Sequence, residues 1–461
     1  MTNSSGPAQG ARRLVVVGAG PGGYQAALTG VAAGMAVTLV ERGKLGGTCL
    51  NWGCVPTKHL LATTLAVDAL SAQARQKLAS GTVTPDLAAI QAKKKKLLAA
   101  THSAMAASLE KAWVRLIVGN LAGVSPGVAH VAAGKEKEDV PFDALILALG
   151  SRAAAFPGVK PDGQAVLGVA PVLDFTEAPK SLIIVGAGAI GIEISEIYHR
   201  FGTKITLVDA APRLAPAEDP DVSKVVAQVM RKKGIDARPG AKVESLVTED
   251  GKAKLTLAGG EVVWADKALV AIGRFAPTAV PGLPELGATF ANPSPNRAWI
   301  ATDETLQTAP GIYAVGDCNG RTLLAHAASS QGVYAARHAA GRQSGPYAPG
   351  PIPGCYYGAP EIMRVGDIAA PGDTYSEAPF VANPIAQSHA DTAGFARVTW
   401  KDGKVAGMTA VGHGASTMGT LATVIVSQAW TREQAEALVF PHPGLDETLR
   451  AALLGEMKTR E

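Results

Sequence analysis

Two cysteines five residues apart, Cys49 and Cys54, are the residues of this chain best suited to redox chemistry. A regular helix would place their Cα atoms roughly 8 to 9 Å apart, beyond the ~7 Å that a disulfide can span. A bridge therefore needs a bent backbone, which Gly53 between them and Gly46-Gly47 before them allow. The spacing predicts a small strained disulfide, and strained disulfides are the readily reduced ones.

The same pair has two other interpretations, as buried small hydrophobic residues and as metal ligands. No second Cys/His pair at zinc spacing accompanies it, so no metal is expected. A chain of 461 residues with four cysteines is not a secreted disulfide scaffold, which favours reactive thiols. A helix that begins near Cys54 would lower the pKa of its thiol, and Lys58 is either a positive charge one turn later or a surface lysine. Cys318 and Cys355 stand alone in apolar or turn contexts, so we expect them to be inert.

A strand, a glycine-rich turn, a helix and a second strand come directly before the cysteines. Leu14-Val15-Val16-Val17 predicts the first strand, and the G-x-G-x-x-G turn that follows contains Gly18, Gly20 and Gly23. Such a turn lets the helix N-terminus approach a pyrophosphate, while an acid after the next strand, here Glu41, accepts hydrogen bonds from ribose hydroxyls. One copy of this pattern is weak evidence, because glycines also serve ordinary turns.

A second complete copy of the unit makes nucleotide binding the favoured interpretation. Its glycines are Gly186, Gly188 and Gly191, and its acid is Asp209. The two copies predict two Rossmann-like domains. Asp209 would repel a phosphate on the ribose, so the second site should prefer NAD(H) to NADP(H), although Arg213 nearby counts against that preference.

The predicted fold class is α/β, with two Rossmann-like dinucleotide-binding domains followed by a C-terminal α+β domain. Between the two glycine turns, 59–112 is predicted to be helical and 114–149 to alternate as strands. Gln343 to Pro353 is rich in Pro and Gly, which indicates a linker. The predicted domains are 1–151 with the cysteine pair, 152–274 with the second turn, 275–345 as a continuation of the first, and 346–461.

Composition excludes several classes of protein. The chain is 47% hydrophobic and 18% charged, which is typical of a soluble protein of two to four domains. Met1 to Gly10 lacks the order of a signal peptide, and no apolar run reaches about 18 residues, so we expect a cytoplasmic protein with no membrane partner. The net charge of +4 gives no case for nucleic acid. The one dense basic run, Lys93 to Lys96, is predicted to be a solvated helix face.

A histidine near the end of the chain, His442, could act as a general base. It lies between Pro441 and Pro443, and Pro443 disfavours helix at His442. Glu447 can then lie at the start of the following helix and turn back to the imidazole, holding the ring in one tautomer. Taken alone, the segment is also explained by a loop histidine beside a helix-capping acid.

Together these motifs resemble the pyridine nucleotide-disulfide oxidoreductases, from Arg13 to about Leu454. The most specific match is the run from Gly46 to Lys58, Gly-Gly-Thr-Cys-Leu-Asn-Trp-Gly-Cys-Val-Pro-Thr-Lys. The supporting stretches are Pro21-Gly22-Gly23-Tyr24, Ala271-Ile272-Gly273-Arg274, Val315-Gly316-Asp317 with Leu324-Ala325-His326, and Pro360-Glu361-Ile362.

The resemblance implies that FAD binds at the first glycine-rich turn and NAD at the second. It implies that Cys54 is the thiol stacked on the flavin and that Cys49 exchanges with the substrate. Lys58 and Glu193 match an ion pair near the reactive nitrogen of the flavin, and Asp317 matches the acid that binds the ribityl chain. Further cofactor-binding positions expected from the resemblance are Gly47, Thr48, Ala325, Val243 and Gly273.

The resemblance also implies partners. The C-terminal domain would form a homodimer, in which His442 with Glu447 acts as base on the substrate bound to the partner subunit. The substrate would be a dihydrolipoyl group on a carrier protein of a 2-oxo acid dehydrogenase or glycine cleavage type system. Two alternatives are a reductase for another lipoylated carrier or small disulfide, and a non-catalytic flavoprotein in redox sensing or assembly.

Departures from the family pattern lie in the C-terminal domain. The chain has His442-Pro443-Gly444 and Asp446-Glu447 where the family usually has His-Pro-Thr and Ser-Glu, and Phe440-Pro441 where a small residue or a second histidine is common. Asn383-Pro384-Ile385-Ala386 lacks the usual arginine, and Val365 to Phe380 is short. These changes leave the flavin, dithiol and nicotinamide chemistry intact and concern the substrate entrance.

Overall fold

The computed structural model describes residues 8–156, 158–291 and 298–461, which form two compact units. The first unit contains the described residues of Met1–Pro56, Ala92–Ala154 and Gly273–Pro349. The second contains those of Thr57–Gln91, Ala155–Ile272 and Gly350–Glu461. Residues 1–7, part of the Met1 to Gly10 segment where no signal peptide is expected, lie outside the described ranges. So do residue 157 of the predicted domain 152–274 and residues 292–297 of the predicted domain 275–345.

Regular structure covers most of these ranges. In the described part of the chain the helices α1 to α12 are, in order, Pro21–Ala32, Gly47–Trp52, Cys54–Arg75, Leu87–Lys111, Val169–Leu173, Ala189–Arg200, Pro220–Lys233, Ala325–Ala339, Pro384–Ser388, Gly419–Ser427, Arg432–Ala437 and Glu447–Leu453. In the same ranges the strands β1 to β27 are, in order, Arg13–Val17, Ala36–Glu41, Arg115–Val118, Asn120–Ser125, Val128–Ala133, Glu136–Pro141, Ala144–Leu147, Arg152–Ala153, Val166–Leu167, Ser181–Val185, Lys204–Asp209, Asp236–Pro239, Val243–Glu249, Lys252–Leu257, Val262–Ala265, Lys267–Val270, Arg274–Phe275, Phe290–Ala291, Trp299–Ile300, Gln307–Ala309, Ile312–Ala314, Gly354–Tyr356, Glu361–Gly366, Thr374–Pro379, Phe395–Lys401, Lys404–Gly412 and Lys458–Thr459.

A six-stranded sheet in the order β20-β21-β7-β1-β2-β3 forms the centre of the first unit. Strand β1 pairs in parallel with β2 and β7, so that Val17 lies between Val40 and Leu147. Its apolar residues are buried, as expected of a parallel strand covered on both faces. Helix α1 connects β1 to β2 and packs closely on α8, where a Cβ on Gly332 would lie 2.1 Å from the carbonyl oxygen of Gly22.

The second unit contains the second parallel sheet, in the order β12-β11-β10-β16-β9. Strand β10 lies between β11 and β16, and α6 connects β10 to β11. This arrangement repeats that of β1, β2 and β7. Both predicted Rossmann-like folds are therefore present.

An antiparallel sheet in the order β22-β23-β26-β25-β24-β27 forms the C-terminal part of the second unit. The β25–β26 hairpin turns at Asp402 and Gly403, which both have positive φ, as a tight hairpin turn requires. Helices α10 and α12 cover the sheet and bury Trp400, Met408 and Leu449. The mixed α/β architecture with a C-terminal α+β domain agrees with the predicted fold class.

Two local predictions were wrong in detail. Residues 59–112 are not one helical stretch, because α3 ends at Arg75 and α4 begins at Leu87, and the connection contains Gly81 with φ +120°. The run Lys93 to Lys96 is not wholly solvated, since Lys94 is buried. Four consecutive helical positions span the whole circumference of a helix, so one of them faces inward.

None of the helices in the described residues combines the length and apolar character needed to cross a bilayer.

Candidate active site

The first glycine turn is shaped for close approach of a ligand to the backbone. Gly18 has φ +97°, and a Cβ there would lie 2.3 Å from the carbonyl oxygen of Ala148. A Cβ on Gly23 would lie 1.8 Å from the carbonyl oxygen of Gly18. Gly20 caps α1 without a side-chain hydrogen bond, and the first turn of the helix has no acidic residue. Backbone N–H groups at this helix end therefore suit the pyrophosphate of a dinucleotide.

The cysteine segment packs directly against this turn. Gly47, the first residue of α2, has φ +56°, and a Cβ there would lie 2.7 Å from the Cα of Gly20. The carboxylate of Glu41 accepts hydrogen bonds from the backbone N–H groups of Ala19 (2.6 Å) and Gly43 (2.8 Å). The first glycine turn therefore contacts both Glu41 at the end of β2 and Gly47 at the start of α2.

The backbone bends between the two cysteines, as a bridge between them needs. Helix α2 ends at Trp52, Gly53 adopts φ −140° and ψ −111°, and α3 begins at Cys54. Cys49 is half-buried on α2, and Cys54 is exposed at the first residue of α3. That position lets the helix dipole stabilise a thiolate at Cys54. Thr48 lies beside Cys49 on α2 and is exposed.

Asp317 is held by two residues, Ser151 and Arg274, that the sequence motifs did not assign to the site. Its carboxylate accepts a 2.5 Å hydrogen bond from the Ser151 hydroxyl, and Arg274 donates to that hydroxyl (2.6 Å) and to the Ser151 carbonyl oxygen (2.9 Å). The strand before Asp317 ends at Ala314, and Asp317 lies in a 3₁₀ turn, Gly316–Asn319. The signal that could have identified Ser151 is its place just after β7, where ligands of parallel sheets bind.

Ala325 is the first residue of α8, and no side chain caps that helix end or places an acid in its first turn. It is therefore a second helix N-terminus in the first unit with the polarity that anionic ligands prefer.

The second glycine turn has the same geometry in the second unit. Gly186 has φ +111°, and a Cβ there would lie 2.3 Å from the carbonyl oxygen of Ala271. A Cβ on Gly191 would lie 1.8 Å from the carbonyl oxygen of Gly186. Gly188 caps α6 without a side-chain hydrogen bond and faces open space. This end of α6 fits a second dinucleotide.

Asp209 ends β11 at the position expected for ribose binding. Its carboxylate accepts hydrogen bonds from the N–H groups of Ala187 (2.6 Å) and Ala211 (2.8 Å). Arg213 donates instead to the carbonyl oxygens of Pro216 (2.8 Å) and Glu218 (3.2 Å). The arginine that would favour a ribose phosphate is thus engaged by backbone carbonyls.

Two other predicted cofactor residues fall in different units. Val243 begins β13 in the second unit, whereas Gly273, with φ +126°, belongs to the first. The carbonyl oxygen of Gly273 accepts a 2.9 Å hydrogen bond from the N–H of Ala154.

Lys58 and Glu193 form the predicted ion pair, with 2.7 Å between Nζ and Oε2. The other oxygen of Glu193 accepts a 2.9 Å hydrogen bond from the backbone N–H of Tyr357. The Lys58 Nζ also lies 4.6 Å from the centroid of the Tyr357 ring. One residue, Tyr357, therefore contacts both members of the pair, and sequence motifs gave no sign of this role.

A buried charge cluster continues along α6 from Glu193. Glu196 accepts from Lys233 (2.6 Å), and Asp68 pairs with both Lys233 (3.1 Å) and Arg200 (2.8 Å). Burial raises the pKa of Glu196. Burial also opposes the ionisation of Asp68, but Lys233 and Arg200 outweigh it and lower the pKa of that carboxyl. The cluster ties α3, α6 and α7 together within the second unit.

His442 and Glu447 are paired as predicted. The Nδ1 of His442 lies 3.0 Å from one oxygen of Glu447, which is the first residue of α12. The N–H of Gly444 donates to the same carboxylate (3.0 Å), and these two bonds lower the pKa of Glu447. An ionised Glu447 holds the proton on Nδ1, so Nε2 is the nitrogen left to accept one. His442 itself is largely exposed.

Asn383 fixes the loop that carries His442. Its Nδ2 donates to the carbonyl oxygen of Gly444 (2.9 Å) and to the hydroxyl of Thr448 (3.0 Å), while its Oδ1 accepts from the N–H of Ile385 (2.9 Å). The stretch that lacks the usual family arginine thus keeps a structural role through its asparagine.

Comparisons with known proteins identify the family of this chain. Residues 12–332 match the family described as pyridine nucleotide-disulphide oxidoreductase, and residues 352–453 match its dimerisation domain. Dihydrolipoyl dehydrogenase of Chlorobaculum parvum is 33% identical over 97% of each chain. The enzyme of the same name from Zymomonas mobilis is 34% identical over 96% of this chain and 97% of its own.

The crystal structure of LpdA from Mycobacterium tuberculosis has the same fold, with a TM-score of 0.85, 26% identity, and coverage of 96% of this chain and 99% of that one. The predicted family, fold class and cofactors are confirmed, and the matched dimerisation domain supports a homodimer. The chain belongs to the pyridine nucleotide-disulphide oxidoreductases and is an FAD-dependent disulfide oxidoreductase that uses NAD.

Proposed function

We propose that this protein is a dihydrolipoyl dehydrogenase that oxidises dihydrolipoyl groups with NAD⁺. The observation that carries the proposal is the bent segment between Cys49 and Cys54, packed through Gly47 against the dinucleotide turn at Gly20. The full-length similarity to enzymes of that name supports the same substrate.

The thiol chemistry follows from the assigned residues. His442 of the partner subunit takes a proton from one substrate thiol, and the resulting thiolate attacks the sulfur of Cys49. The Cys49–Cys54 bond breaks, and Cys54 leaves as a thiolate that the N-terminus of α3 stabilises. The second substrate thiol then attacks the lipoyl sulfur of the mixed disulfide. This step releases the oxidised lipoyl group and frees Cys49.

Bound FAD supplies the two-electron relay between the thiol pair and NAD⁺. The overall balance is one dihydrolipoyl group and one NAD⁺ converted to one lipoyl group, one NADH and one proton. We assign Lys58 and Glu193 to the ion pair near the flavin and Asp317 to its ribityl chain.

We further propose that Asp209 makes the enzyme prefer NAD⁺. Its carboxylate would repel a ribose phosphate, and Arg213 is held by carbonyl oxygens. The lipoylated carrier protein and the cytoplasmic location expected from the sequence belong to the same proposal.

The decisive experiment measures dihydrolipoamide oxidation with NAD⁺ and NADP⁺ in parallel. We expect turnover with NAD⁺, and we expect Cys49→Ser and Cys54→Ser to lower it by about 10³-fold or more while FAD stays bound. Unchanged turnover in either variant, or glutathione disulfide as the better substrate, would contradict the proposal.

A related substrate is the second candidate, because Gly444 and Asp446 replace the usual family residues beside His442. Comparing turnover of free lipoamide with turnover of lipoylated carrier domains separates the two substrate classes.

The alternative of a purely structural disulfide is tested by anaerobic titration with NADH, since an active pair produces the long-wavelength absorption of a thiolate against flavin.

A further inference from the structure

A hydrogen-bonded chain connects the redox segment to a histidine outside it. Within the first unit, the Nε2 of His102, on α4, lies 2.9 Å from the Oδ1 of Asn51, which is on α2 between the two cysteines. His102 lies outside every sequence motif that resembles the family.

The orientation of the Asn51 amide is determined by its other partners. Its Nδ2 donates to the carbonyl oxygens of Leu45 (2.9 Å) and Gly47 (2.8 Å), so both of its N–H bonds are used. The Oδ1 can only accept, and His102 must therefore carry hydrogen on Nε2. All three polar positions of the amide are satisfied, which fixes its side chain relative to α4.

Helix α2 depends on such an anchor. It has only six residues, lacks a side-chain N-cap, and is bounded by Gly46 with φ +86° and by the break at Gly53. A helix this short has little stability of its own. The hydrogen bond from Asn51 to the Gly47 carbonyl oxygen closes a segment that contains Cys49. The position of Cys49 therefore depends on that of Asn51. Helix α4, by contrast, has 25 residues.

We propose that His102 is a positioning residue of the redox centre, which holds Cys49 in place for thiol exchange through Asn51. This inference rests on the proposed function of the Cys49–Cys54 pair. Loss of the hydrogen bond should slow the exchange of Cys49 with dihydrolipoamide and leave electron transfer from NADH to an artificial acceptor intact.

The test compares His102→Ala with His102→Gln, which retains an N–H donor at the end of its side chain. Thr101→Ala is the matched control, because the Thr101 hydroxyl donates only within α4, to the Leu97 carbonyl oxygen. Three quantities are measured on the FAD-loaded enzyme: dihydrolipoamide turnover, NADH-to-ferricyanide turnover, and iodoacetamide alkylation of Cys49 after reduction, located by peptide mapping.

We expect His102→Ala to lower dihydrolipoamide turnover and to change the alkylation rate of Cys49, each by about 5- to 10-fold, the effect of one lost hydrogen bond. Ferricyanide turnover should stay within twofold. His102→Gln should recover at least half of the loss, and Thr101→Ala should match the wild type.

A double-mutant cycle tests the route through Asn51. If His102 acts only through Asn51, adding His102→Ala to Asn51→Ala causes no further loss. Additive losses, an equal fall in both turnovers, no rescue by His102→Gln, or a His102→Ala enzyme equal to the wild type would each overturn the inference. If His102→Ala does not fold, His102→Gln and Asn51→Ala carry the comparison.

Failure of the proposed function is a separate outcome. A wild-type enzyme without dihydrolipoamide turnover would contradict that function, while the Cys49 alkylation rates would still decide whether His102 positions the thiol.

Discussion

At the scale of single residues, Glu193 is a nearly buried carboxylate with a different partner on each oxygen, the Lys58 ammonium and the Tyr357 N–H. A buried charge is tolerated only when it is paired and hydrogen-bonded. Tyr357 adds its ring beneath the Lys58 ammonium, so the pair is held from both sides.

Tyr357→Leu removes the ring and keeps the backbone N–H that Glu193 accepts. We expect kcat with dihydrolipoamide to fall about 2- to 5-fold, since an exposed cation–π contact contributes about 0.5–1 kcal/mol. Tyr357→Phe keeps a ring and should retain wild-type turnover. Steady-state kinetics of the two variants provide the measurement, and equal kcat values for the leucine and phenylalanine variants would rule out a role for the ring.

Cys318 is a thiol that burial keeps neutral. It is fully buried, and its sulfur donates toward the carbonyl oxygens of Leu147 and Val315 (3.2 Å each). Burial raises its pKa to about 12.

At pH 8 Cys318 therefore remains a thiol, and only thiolates react with iodoacetamide. We expect Cys318 to be alkylated only after unfolding, whereas Cys49, the proposed exchange thiol, reacts in the reduced native enzyme. Mass spectrometry of peptides from native and unfolded samples checks this. Rapid labelling of Cys318 in the native protein would show that its thiol is accessible to solvent and would contradict the prediction.

At the level of secondary structure, the contact of α2 with the turn before α1 places the cysteine segment against the first glycine turn. The backbones of Gly47 and Gly20 are in contact, and the space between them is too small for a Cβ on Gly47. We therefore expect flavin binding to depend on the contact between α2 and this turn.

Gly47→Ala tests this contact, because its Cβ would lie 2.7 Å from the Cα of Gly20. Gly34→Ala is the matched control, since Gly34 also has positive φ but no atom within 4 Å of an added Cβ. Both variants incur about 1 kcal/mol of backbone strain. Only Gly47→Ala should lose FAD, measured as the ratio of flavin to protein absorbance. Equal FAD content in the two variants would contradict the contact.

At the scale of the whole molecule, the proposed chemistry is divided between the two compact units. The first contains both cysteines, the first glycine turn and Asp317, while the second contains the Lys58–Glu193 pair, the second turn and His442. Each unit is assembled from three separate stretches of sequence. The dimerisation domain adds a further level of assembly.

Mixed dimers test whether thiols and base come from different subunits. His442→Ala and Cys49→Ser should each be nearly inactive alone. Random mixing after subunit exchange should restore about a quarter of wild-type activity, because half of the dimers then contain one intact site. The measurement is dihydrolipoamide turnover of the mixture, with each parent taken through the same exchange as control. A mixture no more active than its parents would place base and thiols in one chain.

Features that depend on neighbouring residues could be predicted from the sequence. The two strand–turn–helix units, the bend required between Cys49 and Cys54, and the return of Glu447 to His442 follow from local periodicity, glycine and proline positions, and spacing. These interactions span a few residues, so their physical causes are present in the local sequence.

Contacts between distant segments of the chain could be found only in the folded structure. Tyr357 reaches Glu193, Ser151 reaches Asp317, and His102 reaches Asn51, although no motif joins the members of these pairs. Such contacts depend on which strands and helices become neighbours. That outcome depends on packing of the whole core, which no short stretch of sequence encodes.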